Sequence, residues 1–134
     1  MHAILQHRRL LDLLQRVEEC ITPCEAESEH VARGRCADAE RLLGELVSLL
    51  EDHFAVEVAT TFPDLRAQRN PEHLELIARL DAEHPVLLDA FEQVRRMVGD
   101  PQVSPRAVEL AFVRACAAFR SHEARENALF LELY

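Results

Sequence analysis

The sequence predicts an all-α fold, an antiparallel up-down-up-down four-helix bundle. Three observations carry this reading. Apolar residues recur at three- and four-residue steps through four segments. Breaks containing proline separate those segments. Composition leaves little material for strands: Gly occurs only 3 times and aromatic residues make up 5%, against abundant Leu, Ala, Glu and Arg. The 134 residues are expected to form one domain, 1–134, able to bury a core without disulfides.

The first helix is expected from about His2 to Cys20, with Ile4, His7, Leu11, Leu14 and Val17 inward and Thr22-Pro23 ending it. The polar stretch after it holds Gly34 and suits either a loop or an early helix start. The second helix is expected from about Ala37 to Thr61, with Leu42 or Leu43, Leu46, Leu49, Leu50, His53, Val56 and Glu57 inward. Pro63 should close it, because the residue before a proline avoids helical backbone. Asn70-Pro71 reads as a cap followed by a first-turn proline, opening a third helix to Val98. Its inward stripe is Leu74, Ile77, Leu80, His84, Leu88, Phe91 and Val94. Pro85 interrupts this helix at a cost of about 3 kcal/mol. The apolar spacing stays in phase across it, so one kinked helix is expected. Ser104-Pro105 opens the fourth helix, which runs to near Leu133 with Val108, Ala111, Ala115, Phe119, His122, Glu126, Leu129 and Leu133 inward. Short connections between long helices make neighbours antiparallel.

A net charge of −9 argues against nucleic acid, whose phosphates need a basic face, and against anionic lipid. No run approaches the roughly 18 apolar residues of a membrane span. No basic-then-apolar leader opens the chain, and a cytoplasmic protein is expected. The cysteines should then be reduced. Cys20 and Cys24 have a three-residue spacer and no complementary pair, so plain thiols are preferred to a redox or metal role. Cys116 reads as a small core residue.

The histidines carry the chemistry. His7, His53, His84 and His122 each fall on the apolar stripe of a different helix. Two helices repeat one pattern, His53-Phe-Ala-Val-Glu57 and His122-Glu-Ala-Arg-Glu126. A four-residue step puts an imidazole and a carboxylate on one face, a turn apart. One histidine on such a face is more often a satisfied core residue than a ligand. Four imidazoles with two carboxylates in one small core require a countercharge, which a pair of cations supplies. Fe, Zn, Mn and Cu all accept such donors. Two glutamates shared between two ions is the usual logic of a carboxylate-bridged pair.

Other motifs fit less well. His122-Glu123-Ala-Arg-Glu126 begins like the zinc-protease H-E-x-x-H but ends in Glu. Glu27-Ser-Glu-His30 is the one match to the ferritin-type Glu-x-x-His and lies in or near a loop. Asp81 and Glu83 flank His84, where either suits the proton of its other ring nitrogen, although a solvated helix face is the preferred reading for both. Phe54, Phe62, Phe91, Phe119 and Phe130 are expected to pack the core, some of them walling the metal pocket. A phenol-ligand role for Tyr134 is less favoured than a frayed terminus.

At these residues the chain resembles the hemerythrin family in its HHE cation-binding branch. The landmarks are His7, HFAVEVATTFPDL, DAEHPVLL and FRSHEARENALFLEL. The resemblance implies a non-haem di-iron centre, for which an oxo or hydroxo bridge is an option. His7 and His53 would bind one iron, His84 and His122 the other, and Glu57 and Glu126 would bridge them. Oxygen-carrying hemerythrins place a second His one turn from the third-helix ligand, where this chain has Leu80 and Leu88. The four-His, two-Glu set looks more like di-iron proteins of iron-sulphur repair and nitric oxide stress, and like iron-sensing domains. The implied partner is a diatomic ligand or peroxide, bound, sensed or turned over. A metal-free structural bundle is the competing reading.

Overall fold

The computed structural model describes residues 2–22 and 29–133, with side chains for 6–22 and 31–132. Pro23, Cys24, Glu27 and Tyr134 lie outside the described residues, as do the side chains of Ile4, His30 and Leu133. The helices are α1 (His2–Ile21), α2 (Glu29–Val56), α3 (Phe62–Arg66), α4 (Pro71–Val98) and α5 (Pro105–Leu133). A π-helical turn, Glu57–Thr61, joins α2 to α3, so four long rods result. Among the described residues no helix is long and apolar enough to cross a membrane.

Two apolar clusters show how the rods run. The larger draws on α1, α2, α4 and α5; the smaller comprises Phe62, Leu65, Ile77, Leu80 and Leu129. Along α2 the order is Leu50 and Phe54 of the large cluster, then Glu57, then Phe62 and Leu65 of the small one. Along α4 it reverses: Ile77 and Leu80, then His84, then Leu87 and Phe91. In α5 it reverses again, with Phe119 before His122 and Leu129 after Glu126. In α1, His7 precedes Leu10 to Ile21 of the large cluster. Sequential rods are therefore antiparallel, and α1 closes the ring against α5. Every rod carries its polar residues at one level.

Local chemistry sets the ends. Asn70 accepts a hydrogen bond from Glu72 N–H at 3.0 Å. Ser104 Oγ accepts from Ala107 N–H at 3.1 Å. These side chains satisfy amides that have no partner inside the helix. The expected boundaries of α4 and α5 hold, and α4 continues through Pro85 as one helix.

Three expectations need correction. In α1 the buried position is Leu10, while Leu11 is 47% exposed, so the inner stripe is Leu10, Leu13, Leu14, Val17 and Ile21. In α4, Leu74 is exposed and Leu87 is buried in preference to Leu88. Leu10 for Leu11 and Leu87 for Leu88 are one-step errors of phase, which a helical wheel tolerates when leucines stand side by side; Leu74 lies in the first turn of α4, before the buried run begins at Ile77. The third concerns Pro63, which does not close the second rod. Phe62 keeps helical backbone (φ −65°, ψ −40°) and its N–H donates to the Glu57 carbonyl five residues back. The widened turn draws the backbone away from the proline ring, which otherwise collides with the carbonyl four residues earlier. Thr60 Oγ1 donates to the Val56 carbonyl at 2.7 Å. The extra residue rotates the remainder of the rod by about 100°, so the buried residue after Glu57 is Phe62. The chain turns only at 67–70, where Arg69 takes left-handed backbone at φ 54°.

Candidate metal centre

Glu57, His84, His122 and Glu126 are the buried charged or polar residues of the described core. One ligand atom from each lies within 4.8 Å of the others. A second group, His53, Glu57 and Glu123, meets the same limit. Glu57 belongs to both. The π turn that begins at Glu57 thus sits directly at the centre, in keeping with the habit of such turns to mark functional sites.

The three inner imidazoles share one orientation. His53 Nε2 lies 2.8 Å from Glu57 Oε1, and His84 Nε2 lies 2.9 Å from Glu57 Oε2. His122 Nε2 lies 2.5 Å from Glu126 Oε1 and 3.9 Å from Glu57 Oε2. Each Nδ1 turns outward, to Gln6 Oε1 at 3.4 Å, Asp81 Oδ1 at 3.7 Å and Glu83 Oε1 at 2.9 Å respectively. For His53 and His122 the outer partner is within hydrogen-bond range, which fixes the tautomer and aims the other nitrogen inward, as metal-binding histidines require; Asp81 stands too far from His84 for such a bond. Phe54 and Phe62 hold the His84 ring, with near-parallel planes (5° and 13°) at centroid distances of 4.0 and 5.6 Å.

His84 Nε2 and Glu57 Oε2 hydrogen-bond, but the other close approaches to Glu57 and Glu126 are not hydrogen bonding. Glu57 Oε1, His122 Nε2 and Glu126 Oε1 are buried without a hydrogen-bond partner despite these short separations. Buried polar atoms left this way are rare and call for a further species. A cation answers each of them at once, and the imidazole and carboxylate donors suit it. Without one, the cluster must trap protons. Burial would lower the His53 pKa, but Glu123 and Glu57 push it up to about 10. His122 also reaches about 10, Glu126, Glu57 and Glu83 outweighing burial. Burial, reinforced by neighbouring Glu57, lifts Glu126 to about 8. Glu57 itself resists burial and stays well below the carboxylate range, held by the imidazoles around it.

The structure brings five of the six expected residues together: His53, Glu57, His84, His122 and Glu126. His7 stands at the rim, its side chain 44% exposed and its Nδ1 3.4 Å from Glu123 Oε2. It lines a cleft of about 400 Å³ with Gln6, His53, Glu57, Glu123 and Glu126. Glu123 is not among the expected residues. Glu83 is expected at His84 or in solvent; it serves His122 instead, with Arg125 donating to it at 2.6 and 2.7 Å. Arg125 keeps the Glu83 carboxyl below its usual range. Glu83→Ala should therefore free the His122 ring, and a loss of metal affinity of roughly 10–100-fold is expected. Isothermal titration of the metal-free variant checks this, and an unchanged affinity would remove Glu83 from the centre.

A closed helical bundle with imidazoles and carboxylates converging at one level defines the class: an all-α protein with a donor set suited to cations. The family model of the hemerythrin HHE cation-binding domain matches residues 4–134. The chain belongs to this family. No curated protein and no solved structure matches it.

Proposed function

We propose that the chain is a non-haem di-iron protein that binds or senses a small ligand, O₂, nitric oxide or iron itself, at a carboxylate-bridged site. One observation carries this reading: Glu57, 4% exposed, belongs to both donor groups and has imidazole nitrogens beside both of its oxygens. A carboxylate so placed is the one two ions share. His84, His122, Glu126 and Glu57 are assigned to the inner ion, and His53 and Glu57 to the outer, with His7 completing it from the rim; Glu126, expected as a second bridge, falls in the inner group alone. Bound iron would supply one-electron redox chemistry and positions open to a small ligand. Around it, the two phenylalanines at His84 exclude water from the inner half, and the cleft at His53 admits ligand to the outer half. Elemental mass spectrometry of freshly purified protein tests the reading. About two irons per chain are expected; near-zero iron, or stoichiometric zinc, would remove its basis.

The cleft, roomier than a diatomic needs, favours a second reading, turnover of peroxide or nitric oxide. If protein kept supplied with excess reductant consumes peroxide and nitric oxide no faster than the reductant alone, that reading ends.

Stability should respond to pH in opposite senses with and without metal. In the metal-free protein the raised pKa values of His53 and His122 give stability fully present below about 6.5 and lost as pH rises through about 10. Glu126, raised to about 8, acts in the same sense from about 4.5 upward. Metal must displace these protons, so binding releases protons and tightens as pH rises. The gap in melting temperature between loaded and metal-free protein is expected to widen from pH 6.5 to 9, read by calorimetry. A gap that narrows would contradict protonated inner imidazoles.

A further inference from the structure

The His-x-x-x-Glu pattern supplies His53 and Glu57 to the outer half of the centre, but the structure adds a carboxylate there. Glu123 follows His122 on α5, and its side chain is 15% exposed. Its Oε1 lies 3.3 Å from His53 Nε2 and its Oε2 3.4 Å from His7 Nδ1. His53 Nε2 therefore faces two carboxylates, Glu57 Oε1 at 2.8 Å and Glu123 Oε1 at 3.3 Å. An imidazole nitrogen has one proton to give. Glu123 receives it, and Glu57 Oε1 is left buried without a hydrogen bond. Two carboxylate oxygens and one nitrogen converge where a single proton cannot serve all three.

We propose that Glu123 is a metal donor, the additional carboxylate of the outer ion, alongside His53 and Glu57. This rests on the di-iron reading above. A cation at that point takes one lone pair from each of the three side chains and satisfies the stranded Glu57 oxygen. It also gives the outer half a second carboxylate, as the inner half has in Glu126. The inner ion has two imidazoles with Glu57 and Glu126. The outer ion has His53 with two carboxylates, and His7 nearby. Glu123 stands on the cleft wall. The carboxylate that completes the outer ion is thus also the one that an entering ligand meets.

The test is anaerobic titration of metal-free protein with ferrous iron, followed by desalting, iron analysis and Mössbauer spectroscopy of ⁵⁷Fe-loaded samples. Wild type, Glu123→Gln, Glu123→Asp and His84→Ala are compared, with folding checked by circular dichroism. Glu123→Gln keeps the size and the hydrogen-bonding oxygen but removes the charged donor. Expected results are two ions in wild type, and in Glu123→Gln one ion held as before with the second weakened by at least about tenfold. Only one of the two Mössbauer doublets should change. Glu123→Asp, charged but shorter, should fall between, and it stands in if the Gln variant does not fold. His84→Ala should instead weaken the inner ion. Two ions of unchanged affinity and unaltered spectra in Glu123→Gln would overturn the proposal and leave Glu123 a hydrogen-bond partner, with the di-iron reading intact. Failure of wild type to bind two ions would overturn both.

Discussion

Replacing Glu57 by Gln is expected to empty both halves of the centre, taking iron from about two per chain to background. The expectation rests on membership in both donor groups. No other residue of the described cluster has that position. His53→Ala, which touches only the outer group, should leave one ion. The pattern of two, none and one is what a shared carboxylate requires, and elemental analysis after desalting reads it directly. Stability should change in parallel. A ligand present at a hundred times its dissociation constant adds about 2.7 kcal/mol to the folded state, so iron-free Glu57→Gln should melt roughly 10 °C below loaded wild type. A metal-free structural core predicts the reverse. Replacing His53 and Glu57 together by Leu would then stabilise the bundle by about 1–4 kcal/mol, since buried polar groups give way to apolar ones. Two irons retained in Glu57→Gln would sink the shared-carboxylate assignment.

The parts of the fold that depend on one helix at a time were legible in the sequence. Asn70-Pro71 and Ser104-Pro105 announce helix starts through capping chemistry that needs no tertiary contact. The His-x-x-x-Glu pairs are likewise local, because a four-residue step places both groups on one face whatever the helix packs against. What depends on neighbouring rods was not legible. Whether Leu10 or Leu11 turns inward is decided by where α2 and α5 press on α1, not by α1 alone. The π turn at Glu57–Thr61 is a compromise between Pro63 and the demand that Phe62 and Leu65 reach the core. Glu83 and Glu123 were obscured by their long side chains. Each lies beside a presumed ligand in sequence, off the inner face, and acts on a histidine of another helix: Glu83 of α4 on His122 of α5, and Glu123 of α5 on His53 of α2. A signal was present in both cases, an acidic residue next to a stripe histidine. Its target could be chosen only once the helices were side by side.

Phe54 links stability to the site and carries the largest expected effect on folding. It is buried in the main cluster, its ring stacks on His84 at 4.0 Å, and its edge meets His122 at 5.6 Å. Phe54→Ala should cost about 3–5 kcal/mol in a urea titration of the metal-free protein. That is a large share of the roughly 5–15 kcal/mol that holds a domain together. Phe91 provides the comparison. It is equally enclosed, but its ring partners are Phe112 and Phe119, away from the inner imidazoles. Phe91→Ala should cost a similar amount and leave two irons per folded chain. Phe54→Ala should also loosen the inner ion, because the cavity lets the His84 ring turn away from Glu57. Equal stability losses with unequal iron binding would separate the packing role of a core phenylalanine from its role in holding a ligand. Equal iron binding in the two variants would mean that Glu57 and the backbone of α4 suffice to aim His84, and that the stacked ring contributes to the fold alone.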